Sequence, residues 1–209
     1  MPLDINQIKQ CISEWGKLVR EKSKSSTIID RLISNKASFT FNVYFTKKST
    51  YIHAYPGVFE GKLIIFLIAA EFDKYIYRNT LEKYISIPYP EDLKLNLQDE
   101  IDKKEALIRI SNWKKQVKTW IPKQASSETG FFKCYLIPAN DLKSKQSIAY
   151  FALKSVDTVT QYDADLIITN EANVDVTNAE AYYDTVRLVP PYRPEEEMYL
   201  LTDSDNGLV

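Results

Sequence analysis

Histidine is nearly missing from this 209-residue chain, where His53 stands alone. One imidazole cannot build a multi-histidine metal site or a catalytic scheme with two of them. Glycine is almost as scarce. The five positions, Gly16, Gly57, Gly61, Gly130 and Gly207, are too scattered for a G-x-G-x-x-G turn or a Walker loop, and no G-x-S-x-G elbow occurs. The two cysteines, Cys11 and Cys134, lie far apart with no C-x-x-C, and read as buried free thiols of a reducing compartment. No long apolar run is present. The longest, residues 63–70 in "GKLIIFLIAAEFDK", falls well short of the roughly 20 residues a spanning helix needs. The opening "MPLDINQIKQ" carries an acid at position 4 and lacks the basic start and apolar core of a secretory signal. These absences lead us to expect a cytoplasmic chain with no membrane partner, no cofactor and no metal.

What is present belongs to an ordinary globular protein: 44% hydrophobic and 26% charged residues. The net charge of −1 conceals a split. Residues 1–123 hold 21 Lys and Arg against 14 Asp and Glu, a surplus of seven; residues 124–209 hold 6 against 14, a deficit of eight. Such a split suits either a basic surface for nucleic acid or two halves that attract each other, and equal total charge favours the second.

Hydrophobic spacing predicts the elements. Asp4 can cap a helix whose apolar residues Ile5, Ile8, Ile12, Trp15, Leu18 and Val19 recur every three or four positions. A short second helix is expected at "TIIDRLIS". In "SFTFNVYFT" (38–46), Phe39, Phe41, Val43 and Phe45 alternate with Ser38, Thr40, Asn42 and Tyr44, a strand with one apolar face. "YIHAYPG" and the apolar run after "PGVFEG" complete an expected antiparallel β-meander over about 38–70. Its third strand is apolar on both faces, hence central and covered on both sides. A long amphipathic helix is expected at about 99–121, with Ala106, Ile110, Trp113, Val117 and Trp120 on its stripe. Beyond the loop "IPKQASSETG", strands are expected at "FFKCYLIP", "SIAYFALK", "DADLIIT", "DTVRLVP" and "EMYLLT". The fold class is α+β: a single domain over 1–209, with a basic 1–123 and an acidic, strand-rich 131–209 as the alternative division.

The neighbourhood of His53 depends on hairpin register. Pairing Thr46 with Tyr51 gathers Tyr44, Tyr51, His53 and Tyr55 on one face. Pairing Thr46 with Thr50 exchanges the faces. The first is preferred because it places Ile52 and Ala54 with the phenylalanines. The resulting Tyr/His face could line a small-molecule pocket, with Glu71 or Asp73 supplying a carboxylate. It could equally be covered by a helix, the ordinary cover for such a sheet. The paired acids of "EFDK" and "DAD" (163–165) would share a strand face, yet neither has an assignable third ligand. The loop "DSDNG" places Gly207 one position too early for a calcium loop. Lys114, Lys115 and Lys118 crowd one side of the long helix and could bind nucleic acid. The tryptophans of that helix fall on its apolar stripe, so they read as core.

The function expected from these residues is non-enzymatic, acting through a protein partner or a homo-oligomer, since Tyr, Trp and Arg anchor interfaces. The alternatives are a small-molecule-binding protein or cofactor-free enzyme using the Tyr/His face, and nucleic-acid binding through residues 103–118. Carboxylate-only or Tyr/Lys chemistry leaves little linear trace, so whether the chain is an enzyme stays open at this point.

Overall fold

A computed structural model describes residues 3–21, 26–92, 104–143, 146–156, 161–170, 182–184, 186–193 and 196–206. The first helix, α1 (Ile5–Arg20), begins at a capping box. Asp4 Oδ1 accepts from the Gln7 amide at 2.9 Å, and Gln7 Oε1 accepts from the Asp4 amide at 3.0 Å, which satisfies two otherwise orphaned donors. Its buried stripe is Ile8, Cys11, Ile12, Trp15 and Val19. A shorter α2 (Ser26–Ile33) follows, then β1 (Lys36–Phe41), whose burial alternates residue by residue.

β2 (Tyr51–Phe59) and β3 (Lys62–Ala69) form a tight hairpin, with Phe59 opposite Lys62. Its two-residue turn needs left-handed backbone at both positions, and Glu60 and Gly61 have φ of 49° and 72°. The chain then wraps through two short 3₁₀ turns to β4 (Glu91–Asp92). After α3 (Lys104–Ser126) come β5 (Cys134–Pro138), β6 (Ser147–Ser155), β7 (Tyr162–Thr169), β8 (Arg187–Val189) and α4 (Tyr199–Asn206).

The described strands make two four-stranded antiparallel sheets, ordered β4-β1-β6-β7 and β3-β2-β5-β8. The class is therefore α+β, with the long helix and the strand-rich C-terminal half both present. Each sheet draws strands from before and after α3. Pairing within 38–70 differs from a local meander. β2 and β3 pair as expected, but β1 leaves them for the other sheet, where Phe39 lies opposite Ala149. Neither hairpin register weighed for residues 46–51 occurs. Alternation determines which face of a strand is apolar, and says nothing about which neighbour takes up its backbone hydrogen bonds.

Three further expectations are corrected. β3 is terminal in its sheet, not central, yet residues 63–70 are buried throughout. Its outer edge is covered by the returning chain, where Leu67 and Ser86 exchange amide bonds of 2.9 Å and Ile65 N donates to Pro88 O at 3.2 Å. "EMYLLT" is the start of α4 instead of a strand, because short apolar runs carry no decisive period and a distant side chain caps the helix. The long helix continues through Pro122 to Ser126, while residues 99–103 of the expected span lie outside the described residues.

One core unites both sheets, α1, α2 and much of α3, including Trp15, Phe39, Tyr55, Phe66, Trp113, Phe151 and Leu166. A smaller cluster of Ala106, Ile110, Ile148, Tyr150, Ala152 and Ile167 joins the start of α3 to the opposite face of β6 and β7. The three indole N–H groups all find carbonyls: Trp15 on Phe132, Trp113 on Lys36 and Trp120 on Tyr162, at 2.7 to 2.9 Å. Buried tryptophans thus staple helices to strand ends.

Candidate functional site

Tyr51, His53, Tyr55 and Gly57 share one face of β2, and α1 lies across it. A Cβ at Gly57 would come within 2.6 Å of Phe66 Cε2 and 3.1 Å of Cys11 Cβ, so only glycine permits this approach. α4 packs beside α1, where Lys9 Nζ donates to Tyr199 OH at 3.3 Å. The helical cover weighed for this face is present.

Under that cover sits a polar cluster. The turn after β3 returns Asp73 to the sheet, its amide bonding Ala69 O at 3.2 Å. His53, Asp73 and Tyr55 are all fully buried. Asp73 Oδ2 meets His53 Nδ1 at 2.7 Å and accepts the Tyr55 hydroxyl. Oδ1 accepts the Leu200 amide at 2.9 Å, and the Asp73 carbonyl accepts the Tyr199 amide at 3.2 Å. One carboxylate thus orients the imidazole and caps α4, with the favourable end of the helix dipole directed at it. Burial, followed by the nearby Asp73 charge, pushes the Tyr55 phenol well above its usual range. The Cys134 thiol is raised by the same two causes.

The other imidazole nitrogen is unsatisfied. His53 Nε2 has no hydrogen-bond partner among the described residues and points at Glu196 Oε2, 4.0 Å away, which also has none. Glu196 accepts from Thr50 through its other oxygen. Tyr51 stands nearby, its phenol raised chiefly by burial and by the neighbouring Tyr192 and Glu196, against the lowering effect of Arg187.

Of the six residues proposed for a Tyr/His pocket, the structure joins His53, Tyr55 and Asp73, with Tyr51 at the margin. Tyr44 and Glu71 go elsewhere. Glu71 accepts from Thr46 N at 2.5 Å and Thr46 Oγ1 at 2.7 Å, closing the loop before β2. Tyr44 stacks on Phe72 with centroids 5.6 Å apart. The acids of "EFDK" therefore diverge once the chain leaves β3. Those of "DAD" do share a face of β7 and line one cleft, with Asp163 exposed and Asp165 buried.

Arg109 on α3 accounts for Asp165. Its guanidinium reaches Glu105 at 2.7 Å, Asp165 at 3.0 Å and Asp184 at 2.8 Å. Burial raises the Asp165 carboxyl to about 6, against the opposing pull of Arg109. On the same helix Lys114, Lys115 and Lys118 are exposed. Two open clefts of about 560 and 450 Å³ share Gln124, Thr129 and Asp163 beside the end of α3. Sequence spacing had indicated neither cleft, nor Glu196, because their residues are far apart along the chain.

Sequence reading also missed an aromatic rim on the turns between β3 and β4. Phe72, Tyr77 and Tyr84 pack together, with Phe72 and Tyr84 stacked at 4.1 Å. Tyr44 packs on this base and is 62% exposed, while Tyr75 and Ile76, on the same 3₁₀ turn as Tyr77, are 58% and 76% exposed, with Tyr75 edge-on to Tyr199. The Arg78 guanidinium lies 4.2 Å from the Tyr75 ring centre. The segment "KYIYRNTLEKY" has no clean period, so nothing in it marks an exposed patch.

Among the described residues, no group of three or more His, Cys, Asp or Glu is placed to hold a metal ion, and no helix is long and apolar enough to cross a membrane. The fold and site define a two-sheet α+β protein with a sealed His–Asp–Tyr cluster and an exposed aromatic rim. Comparison with family models, curated proteins and solved structures finds no match to this chain.

Proposed function

We propose that this chain is a non-enzymatic cytoplasmic protein that works by binding another protein through the aromatic rim of residues 72–84. The observation that carries the reading is a set of exposed large apolar side chains: Tyr44 on the stacked Phe72–Tyr84 base, and Tyr75 and Ile76 on the 3₁₀ turn that Tyr77 anchors to that base. Contiguous exposed apolar side chains mark interaction sites. Tyrosine beside arginine is the composition of interface anchors, since it offers large contact area for little lost side-chain freedom. Buried free thiols at Cys11 and Cys134 suit a reducing compartment. The full enclosure of His53, Asp73 and Tyr55 supports a structural role for the cluster.

The test compares the tagged chain with its Ile76→Asp and Tyr75→Ala variants in nuclease-treated native lysate, with light scattering to record self-association. The expected result is one partner, or a second copy, retained by the natural chain and lost from both variants while their melting curves stay unchanged. Equal capture by all three chains refutes the rim as the interface.

A further inference from the structure

We propose that a single proton shared between His53 Nε2 and Glu196 Oε2 closes a pH-sensitive clasp that docks the segment leading into α4 onto β2. The observation is a matched pair of defects: two buried polar atoms, each without a partner among the described residues, face each other across 4.0 Å. A buried polar group left unpaired costs about 1–3 kcal/mol, which is why native interiors rarely tolerate one. Here one proton and an approach of about 1 Å would satisfy both, since charge-assisted N–H···O bonds close at roughly 2.7–2.9 Å.

The tautomer follows from the rest of the cluster. Asp73 Oδ2, 2.7 Å from Nδ1, already accepts the Tyr55 hydroxyl, so the ring proton of neutral imidazole belongs on Nδ1. That leaves a lone pair on Nε2 aimed at a carboxylate oxygen, a repulsive contact. Adding a proton turns it into an imidazolium held between two carboxylates, Asp73 behind and Glu196 in front. The closed clasp holds one proton more than the open one, so falling pH favours it.

Other groups around the ring do not supply that proton. Tyr55 on β2 and Cys134 on β5 are pushed up by burial and keep theirs. Tyr51, also on β2, is raised too. Lys9 of α1 is directed to Tyr199 of α4, and Arg187 lies over the Tyr192 ring at 4.6 Å. The exchange is left to His53 and its two carboxylates. What it controls is adjacent in sequence: Glu197 accepts the Tyr75 amide at 2.8 Å, and the Leu200 amide rests on Asp73. Tightening Glu196 therefore fastens the start of α4.

Because His53 is the only histidine, its two ring nitrogens can be read in the ¹⁵N-labelled full chain without ambiguity. They would be followed between about pH 5 and pH 8, the range in which histidine works as a switch, together with Leu200 amide exchange corrected for intrinsic rate. Protonation of both ring nitrogens at the acid end should coincide with about tenfold slower exchange, the effect of one charge-assisted hydrogen bond. Glu196→Gln should exchange slowly at both ends, since a carboxamide N–H can donate to neutral Nε2. Glu196→Ala should exchange fast at both. An Nε2 that never changes protonation, or Gln and Ala variants that behave alike, would overturn the clasp.

Discussion

Asp73→Ala is the most demanding test of how this protein is held together. The carboxylate accepts from three groups on two separate parts of the chain: His53 and Tyr55 on β2, and the Leu200 amide at the start of α4. Removing it strips the Leu200 amide of its acceptor and leaves His53 and Tyr55, 3.2 Å apart, only each other in a site with no solvent access. A hydrogen bond to a charged group contributes about 1.5–3 kcal/mol, and the three share one acceptor, so their losses are not additive. About 4 kcal/mol is the expected total, in the range for breaking a buried ionic network. In a chain of this size each kcal/mol moves the melting temperature by about 2–4 °C, so the loss is roughly 8–16 °C. Urea denaturation followed by far-ultraviolet circular dichroism measures the stability, and amide exchange reports whether α4 is released before the sheets. A loss below about 1 kcal/mol, or an α4 that stays protected, would refute a structural role for the cluster.

Gly57→Ala should cost about 1–3 kcal/mol by overpacking, because the added methyl meets Phe66 at 2.6 Å and the α1 backbone at Cys11 at 3.2 Å. Phe66→Leu in the same chain should recover part of that loss in a double-mutant cycle. Asp165 gives a pH signature. Its folded value of about 6 lies above the ordinary 3.8, so the folded state holds the proton more tightly. Its contribution is fullest below pH 4 and declines as pH rises through about 6, by on the order of 3 kcal/mol. Asp165→Asn should flatten that part of the stability profile in urea titrations at successive pH values. Ile76→Asp, at a site 76% exposed, should leave stability within about 0.5 kcal/mol by the same denaturation assay.

Much of this protein was legible along its chain because local chemistry repeats. The Asp4 cap, the three-and-four spacing of α1 and the stripe of α3 all act within a few residues, and all are present. The Tyr/His face was read only in part. Parity put Tyr51, His53 and Tyr55 together whatever β2 paired with, whereas Tyr44 depended on a β1–β2 hairpin that does not form. Glu71 and Asp73 lie two residues apart, but turns after β3 send one to Thr46 and the other into the core.

By itself the sequence determined the α+β class, the antiparallel β2–β3 hairpin and the faces of most strands. Those properties depend on period, composition and short turns, which are local. Only the tertiary structure decided that β1 joins β6, that the last apolar run becomes a helix, and that Glu196 meets His53 across more than a hundred residues. Such pairings are settled by which surfaces can be buried together, and that competition involves the whole chain at once.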